Sequence, residues 1–137
     1  MFRIVVLISL LLVTAVAQSA TPSERAEIFL RQVTTSQSDK AYDDLFAGSG
    51  FAEQKPQDLL TIKSQTKMAM GLYGRPIGIE KLQEIDLSPS IKRLIYIQKF
   101  EAYPVAWEFY FYRAHDEWTL NSINFKDQVT SILDLVK

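Results

Sequence analysis

The 137-residue chain carries 15 lysines and arginines against 16 aspartates and glutamates, which gives a formal net charge of −1. Nucleic acids and anionic membranes attract proteins with a strongly positive surface, so the sequence predicts neither as a partner. The absence of cysteine excludes disulfide bonds and cysteine nucleophiles.

The first 19 residues have the pattern of a secretory signal peptide. Arg3 precedes an apolar run over residues 4–13, and small side chains at Ala15, Ala17 and Ser19 suit a signal peptidase. The run is shorter than the roughly 20 residues that span a bilayer, and an uncleaved N-terminal anchor is the alternative. We therefore expect cleavage near Ala17 to Ala20, a periplasmic or secreted location without a stable membrane anchor, and a single domain over residues 20–137.

Three helices are predicted in the first half of this domain, because apolar residues recur there at steps of three and four. The first helix starts at Thr21, where Pro22 and Glu24 complete a capping box with a proline in the first turn. The starts of the other two helices are predicted at Ser38 or Asp39 and at Pro56.

Four strands are predicted in the second half, because the apolar residues there approach alternation. The strands are expected at residues 77–87, 94–100, 105–113 and 118–126. Asp127 is a candidate cap for a closing helix. Helices followed by a run of hairpins predict an α+β fold, in which N-terminal helices pack on a curved antiparallel sheet of about four strands.

The third strand separates an apolar face from a mixed face. Its core face is predicted to carry Val105, Trp107, Phe109 and Phe111, and its second face Ala106, Glu108, Tyr110 and Tyr112. The fourth strand changes phase between Leu120 and Ile123, which predicts a β-bulge near Asn121 and Ser122. The expected cross-strand pairs are Phe111 with Leu120, Phe109 with Ile123, Trp107 with Phe125 and, beyond them, Arg113 with Trp118.

The register between the second and third strands stays open from sequence alone. One setting places Leu94 and Tyr96 beside Phe111 and Phe109, and the neighbouring setting places Ile95 and Ile97 there. Both settings give an apolar core face, so hydrophobic pattern does not decide between them.

The helix and strand order, together with the pattern W-x-F-x-F-x-R…W-x-L-x-x-I-x-F-x-D between Trp107 and Asp127, resembles the NTF2-like superfamily. This superfamily includes nuclear transport factor 2, ketosteroid isomerase and small exported domains, and the resemblance covers roughly residues 23–127. It implies a cone whose cavity binds a small molecule or is filled by side chains. It also implies a homodimer through the opposite sheet face, where Glu108, Tyr110 and Tyr112 are the candidate interface residues.

No spacing in the sequence identifies a catalytic residue, a metal ligand or a cofactor site. An isomerase needs a carboxylate base in an apolar pocket, and the isomerase's catalytic residues have no matching positions in this chain. His115 is the single histidine and lies in a predicted turn. One histidine supplies too few nitrogen ligands for a zinc site. We therefore predict no catalytic residue, no metal site and no cofactor.

One polar group stands out as a candidate site for a small polar or anionic ligand. Its members are Tyr73, Arg75, Glu80, Arg93 and Tyr96. If the first two strands pair, Glu80 and Arg93 could face each other near a pocket mouth, and the alternative is a surface salt bridge.

The function expected from these observations is that of a non-catalytic binding domain, secreted or periplasmic and homodimeric, which binds a small ligand in its cone or a protein partner. The alternative is a small lyase or isomerase that uses a carboxylate base in the cavity. A cavity filled by Trp107, Phe109 and Phe111 would favour binding, and a buried carboxylate in an open cavity would favour the enzyme.

Overall fold

The computed structural model describes residues 19–136, without the side chains of residues 129, 132 and 133, and the predicted signal peptide lies outside this range. The helices are α1 (Pro22–Gln32), α2 (Ser38–Phe46), α3 (Phe51–Gln54), α4 (Pro56–Met70) and α5 (Val129–Leu135). The strands are β1 (Pro76–Ser88), β2 (Ile91–Phe100), β3 (Pro104–Tyr112) and β4 (Thr119–Lys126). They form one antiparallel sheet in the order β1-β2-β3-β4, which confirms the α+β class. The cone geometry stays a prediction.

The predicted starts of the three N-terminal helices are confirmed, whereas the cap of the closing helix is Gln128 and not Asp127, and one short helix was missed. The Thr21 hydroxyl accepts a hydrogen bond from the Glu24 amide at 3.2 Å, and the Glu24 carboxylate accepts one from the Thr21 amide at 2.7 Å. The missed helix is α3, which follows Gly50 in a left-handed conformation (φ 72°). Phe51 on α3 stacks on Phe46 at 4.5 Å, so α3 adds one aromatic ring to the core. A helix of a single turn is too short for its apolar period to show in the sequence.

The bulge in the last hairpin is confirmed. Phe111 lies opposite Leu120 and Tyr110 lies opposite Ser122, which leaves Asn121 as the extra residue. The bulge returns Ile123 and Phe125 to the face of Leu120, and the three predicted aromatic–aliphatic and aromatic pairs form as expected. Arg113 and Trp118 lie just beyond the paired residues and contact each other through their side chains.

The register between β2 and β3 matches neither predicted setting. Leu94 lies opposite Phe109 and Tyr96 lies opposite Trp107, so these residues share the aromatic face but are shifted by one pair along it. Pairing extends to Lys99 and Pro104, because the connection between the two strands is short. The tight connection therefore set a register that the hydrophobic pattern left open.

The core lies between the helices and the inner face of the sheet, which is the face of Trp107, Phe109 and Phe111. These three side chains have 0% exposure. Phe29 of α1 contacts Trp107 edge-on at 5.3 Å and Phe109 at 5.9 Å, a geometry that aromatic rings prefer. Buried Gln98 accepts a hydrogen bond from the Trp107 indole at 2.9 Å and donates one to the Leu30 carbonyl at 2.8 Å. The space between α1 and these three rings is thus filled by side chains, and an opening of about 350 Å³ remains nearer β1, between Leu30 and Ile79.

Candidate functional site

The five residues predicted to bind a ligand do not form one site. Glu80 makes an ion pair with Lys99 at 2.9 Å, whereas Arg75 pairs with Glu101 at 2.8 Å on the surface. The expected pairing of Glu80 with Arg93 is wrong, because Glu80 lies opposite Ile97 in the sheet. The irregularities in β1 and the β1–β2 register therefore separate charges that the sequence placed near each other.

The two predicted ligand-binding tyrosines each donate a hydrogen bond to a carboxylate of the chain. The Tyr73 hydroxyl donates to Asp127 at 2.9 Å, and burial, with Asp127 adding to it, raises the pKa of Tyr73 to about 12. The Tyr96 hydroxyl donates to Glu27 of α1 at 3.1 Å, and burial raises its pKa as well. Each phenol therefore stays protonated near neutral pH and joins two parts of the fold.

The second face of the sheet holds a buried ion pair beneath the end of α5. Arg93 donates from Nε and Nη2 to one oxygen of Glu108, at 2.8 and 2.5 Å, and Nη2 also donates to the Leu135 carbonyl at 2.6 Å. Glu108 is only 8% exposed. The Glu108 carboxylate is engaged within the chain. Of the three predicted interface residues, Tyr110 and Tyr112 therefore remain available for contact with a partner.

An uncharged groove lies on the same second face, beside the ion pair. It has a volume of about 290 Å³ and is lined mainly by Leu87, Ile91, Tyr110, Tyr112 and Asn121. Leu87, Ile91 and Tyr112 are all exposed. Exposed apolar side chains gathered in one place often mark a contact surface.

A larger, charged cleft opens where the β1–β2 turn meets the start of α1. It has a volume of about 740 Å³, and its lining includes Pro22, Asp86, Lys92, Arg113 and Trp118. The sequence reasoning did not identify this cleft. The predicted proximity of Arg113 and Trp118 was the one signal in the sequence that could have indicated the cleft. The other lining residues come from segments that are distant in the chain.

The described part of the chain offers no metal centre and no membrane-spanning helix. Between residues 19 and 136 no group of three or more histidine, aspartate and glutamate side chains is arranged to hold a metal ion. No helix in the same range is both long and apolar enough to cross a bilayer. His115 lies exposed in the turn between β3 and β4.

Comparison of the chain with known protein families, with curated proteins and with solved structures finds no match. The resemblance to the NTF2-like superfamily therefore stays a prediction, and the proposals below depend on the geometry of this chain alone.

Proposed function

We propose that this protein is an exported, non-catalytic binding domain that makes its contacts through its surface. The observation that carries the proposal is the filled inner face of the sheet, where Trp107, Phe109 and Phe111 have no exposed surface. A binding domain of this kind needs a rigid scaffold, which such a core supplies, and side chains placed on its outer surfaces.

The alternative of a small lyase or isomerase has less support. That chemistry needs a carboxylate base inside a cavity that admits the substrate. The most buried described carboxylate is Glu108, and it is paired with Arg93 on the opposite face of the sheet from the aromatic core. A base in this position has no access to the space where the family resemblance places a substrate.

The partner that fits the uncharged groove on the second face is another copy of the chain. A two-fold interface places the same residues against each other, so a charged patch would repel itself. The groove residues Leu87, Ile91, Tyr110 and Tyr112 carry no charge, and three of them are exposed apolar or aromatic side chains. Homodimerisation would cover this surface.

Sedimentation velocity of the processed protein over a range of concentrations tests the dimer. We expect a dimer in the wild type and a monomer in Tyr112→Glu, because the substitution brings two like charges together across the two-fold axis. Met68→Glu is the control, since Met68 is even more open to solvent than Tyr112 and lies on α4, away from the groove. A wild-type monomer at all concentrations, or equal dissociation in the Met68→Glu control, would contradict the proposed interface.

A further inference from the structure

The charged cleft between the β1–β2 turn and α1 contains a cation, Arg113, that is held in place with no ion-pair partner among the described residues. The guanidinium of Arg113 lies over the Trp118 ring, 4.8 Å from its centroid, and donates one hydrogen bond to the Pro89 carbonyl at 3.1 Å. No carboxylate of the described residues pairs with Arg113, although the chain has several nearby. Because a guanidinium has five N–H donors, most of its donor capacity remains open to the cleft.

The other charged residues that line the cleft pair with one another and leave Arg113 out of their ion pairs. Lys92 bridges Asp86 at 3.0 Å and Glu84 at 3.1 Å, and Lys81 contacts the same Glu84 at 3.0 Å. Both carboxylates that line the cleft are therefore engaged by lysines, and Arg113 is the lining cation that pairs with neither of them. The aromatic surface beneath Arg113 restricts its position, which lowers the entropy that must be lost when it binds a ligand.

The balance of these charges holds at neutral pH. Burial acts to lower the pKa of Lys92, but its hydrogen bonds with Asp86 and Glu84 outweigh burial and the pKa lies above its usual value. The hydrogen bond from Lys81 is the main cause that lowers the pKa of Glu84. Both groups therefore stay ionised, and the Glu84 carboxylate is engaged by Lys81 and Lys92 rather than by Arg113.

We infer that this cleft binds a small ligand through a single carboxylate or phosphate group, with Arg113 as the anchor and Trp118 as the supporting surface. The planar fork of an arginine matches both groups, because each presents two oxygens to parallel N–H donors. The inference rests on the proposal that the protein works by binding, and it adds a ligand class and a site to that proposal.

Nuclear magnetic resonance titration of the processed protein tests the site with two probes, inorganic phosphate and acetate, at constant ionic strength. The signals to follow are the Nε–H of Arg113 and the indole N–H of Trp118. The indole N–H of Trp107 is an internal reference, because it is buried and bonded to Gln98. We expect saturable shifts of the first two signals and none of the third.

The two probes distinguish the sources of the anionic group, since saturation by phosphate alone indicates a phosphate-bearing ligand and saturation by acetate alone a carboxylate. Arg113→Gln should weaken binding by about tenfold or more, because it removes the charge-assisted hydrogen bonds. Arg31→Gln is the matched control, since Arg31 is an exposed arginine on the outside of α1. Native-like spectra of both variants establish that they remain folded.

Two results would overturn the inference. The first is the absence of saturable shifts with either anion, and the second is equal binding by wild type and Arg113→Gln. Either result in a protein that still dimerises through the second face would remove the anion site and leave the proposed binding function standing. A monomeric protein that still binds the anions at Arg113 would instead contradict the proposed dimer and leave the anion site standing.

Discussion

The two faces of the sheet are stabilised in different ways. The inner face is apolar apart from Gln98 and packs under α1, where Phe29 makes edge-on contacts with Trp107 and Phe109. The second face mixes a small apolar cluster around Ile95 and Ala106 with the Arg93–Glu108 pair, and the end of α5 packs on it through Leu135. The inner face therefore supplies most of the stability of the sheet, and the second face is left to present polar and aromatic groups.

The physical reason is the different cost of burying each kind of group. Full burial of a large apolar side chain contributes roughly 1.5–3 kcal/mol, whereas the attraction within a buried ion pair is largely offset by the desolvation of both charges. The Arg93–Glu108 pair therefore adds little net stability, but it fixes the positions of Arg93, Tyr110 and the end of α5. Four experiments test this contrast.

The largest effect is expected at the inner face. Phe109→Ala should lower the free energy of unfolding by about 3–5 kcal/mol, because it leaves a cavity among fully buried rings. The matched change on the second face, Ile85→Ala, should cost about 1 kcal/mol or less, since Ile85 is partly exposed on an edge strand. Urea denaturation measures both, and similar losses would break the comparison.

The next effect concerns the buried ion pair. Glu108→Leu should cost about 3 kcal/mol, because the largely covered Arg93 then keeps the Leu135 carbonyl and the Tyr110 ring as contacts but has no carboxylate. The double variant Arg93→Met/Glu108→Leu should recover most of this loss, since no charge is left behind. If the double variant is as unstable as the single one, the pair contributes net stability and the contrast between the faces is smaller than we infer.

A pH dependence is expected from the helical side of the core. Burial raises the pKa of Tyr42 to about 12, although its hydrogen bond with Thr66 acts in the other direction, and the value in the unfolded chain is about 10. The folded protein therefore holds the phenolic proton more tightly. This stabilisation, about 3 kcal/mol, is complete below pH of about 10 and is lost as the pH rises through 12. Tyr42→Phe should flatten the pH dependence of unfolding there, and an unchanged curve would show that Tyr42 does not cause it.

The smallest effect is expected at Arg75, which the sequence suggested as a ligand-binding residue. Its ion pair with Glu101 is well exposed on both sides, and exposed pairs contribute little. Arg75→Gln should change the free energy of unfolding by no more than about 0.5 kcal/mol. A loss of 2 kcal/mol or more in urea denaturation would indicate a structural contact that the exposed geometry does not explain.

The sequence predicted most of the inner face because one physical signal determined it. Alternation of large apolar residues specifies which side chains face the helices, and the phase change between Leu120 and Ile123 located the bulge at Asn121. The register of β2 against β3 was not predictable in the same way, because a shift of two residues preserves the faces. The short connection before Pro104 decided it.

The charged sites were much harder to predict, because charge alone carries no long-range pairing information. Glu108 could have been an exposed interface residue, and only the arrival of α5 makes it buried. The anion cleft joins the start of α1, the β1–β2 turn and the last hairpin. These three segments are distant in the chain, so the fold must bring them together before their charged side chains can form a site.

Native mass spectrometry of the protein purified from its own periplasm or culture medium tests the central claim most directly, because it reports processing, assembly and bound ligand together. We predict twice the mass of a chain cleaved near residues 17–20, with an adduct that carries a carboxylate or phosphate group. A monomer without any adduct would contradict the account of an exported, surface-binding homodimer.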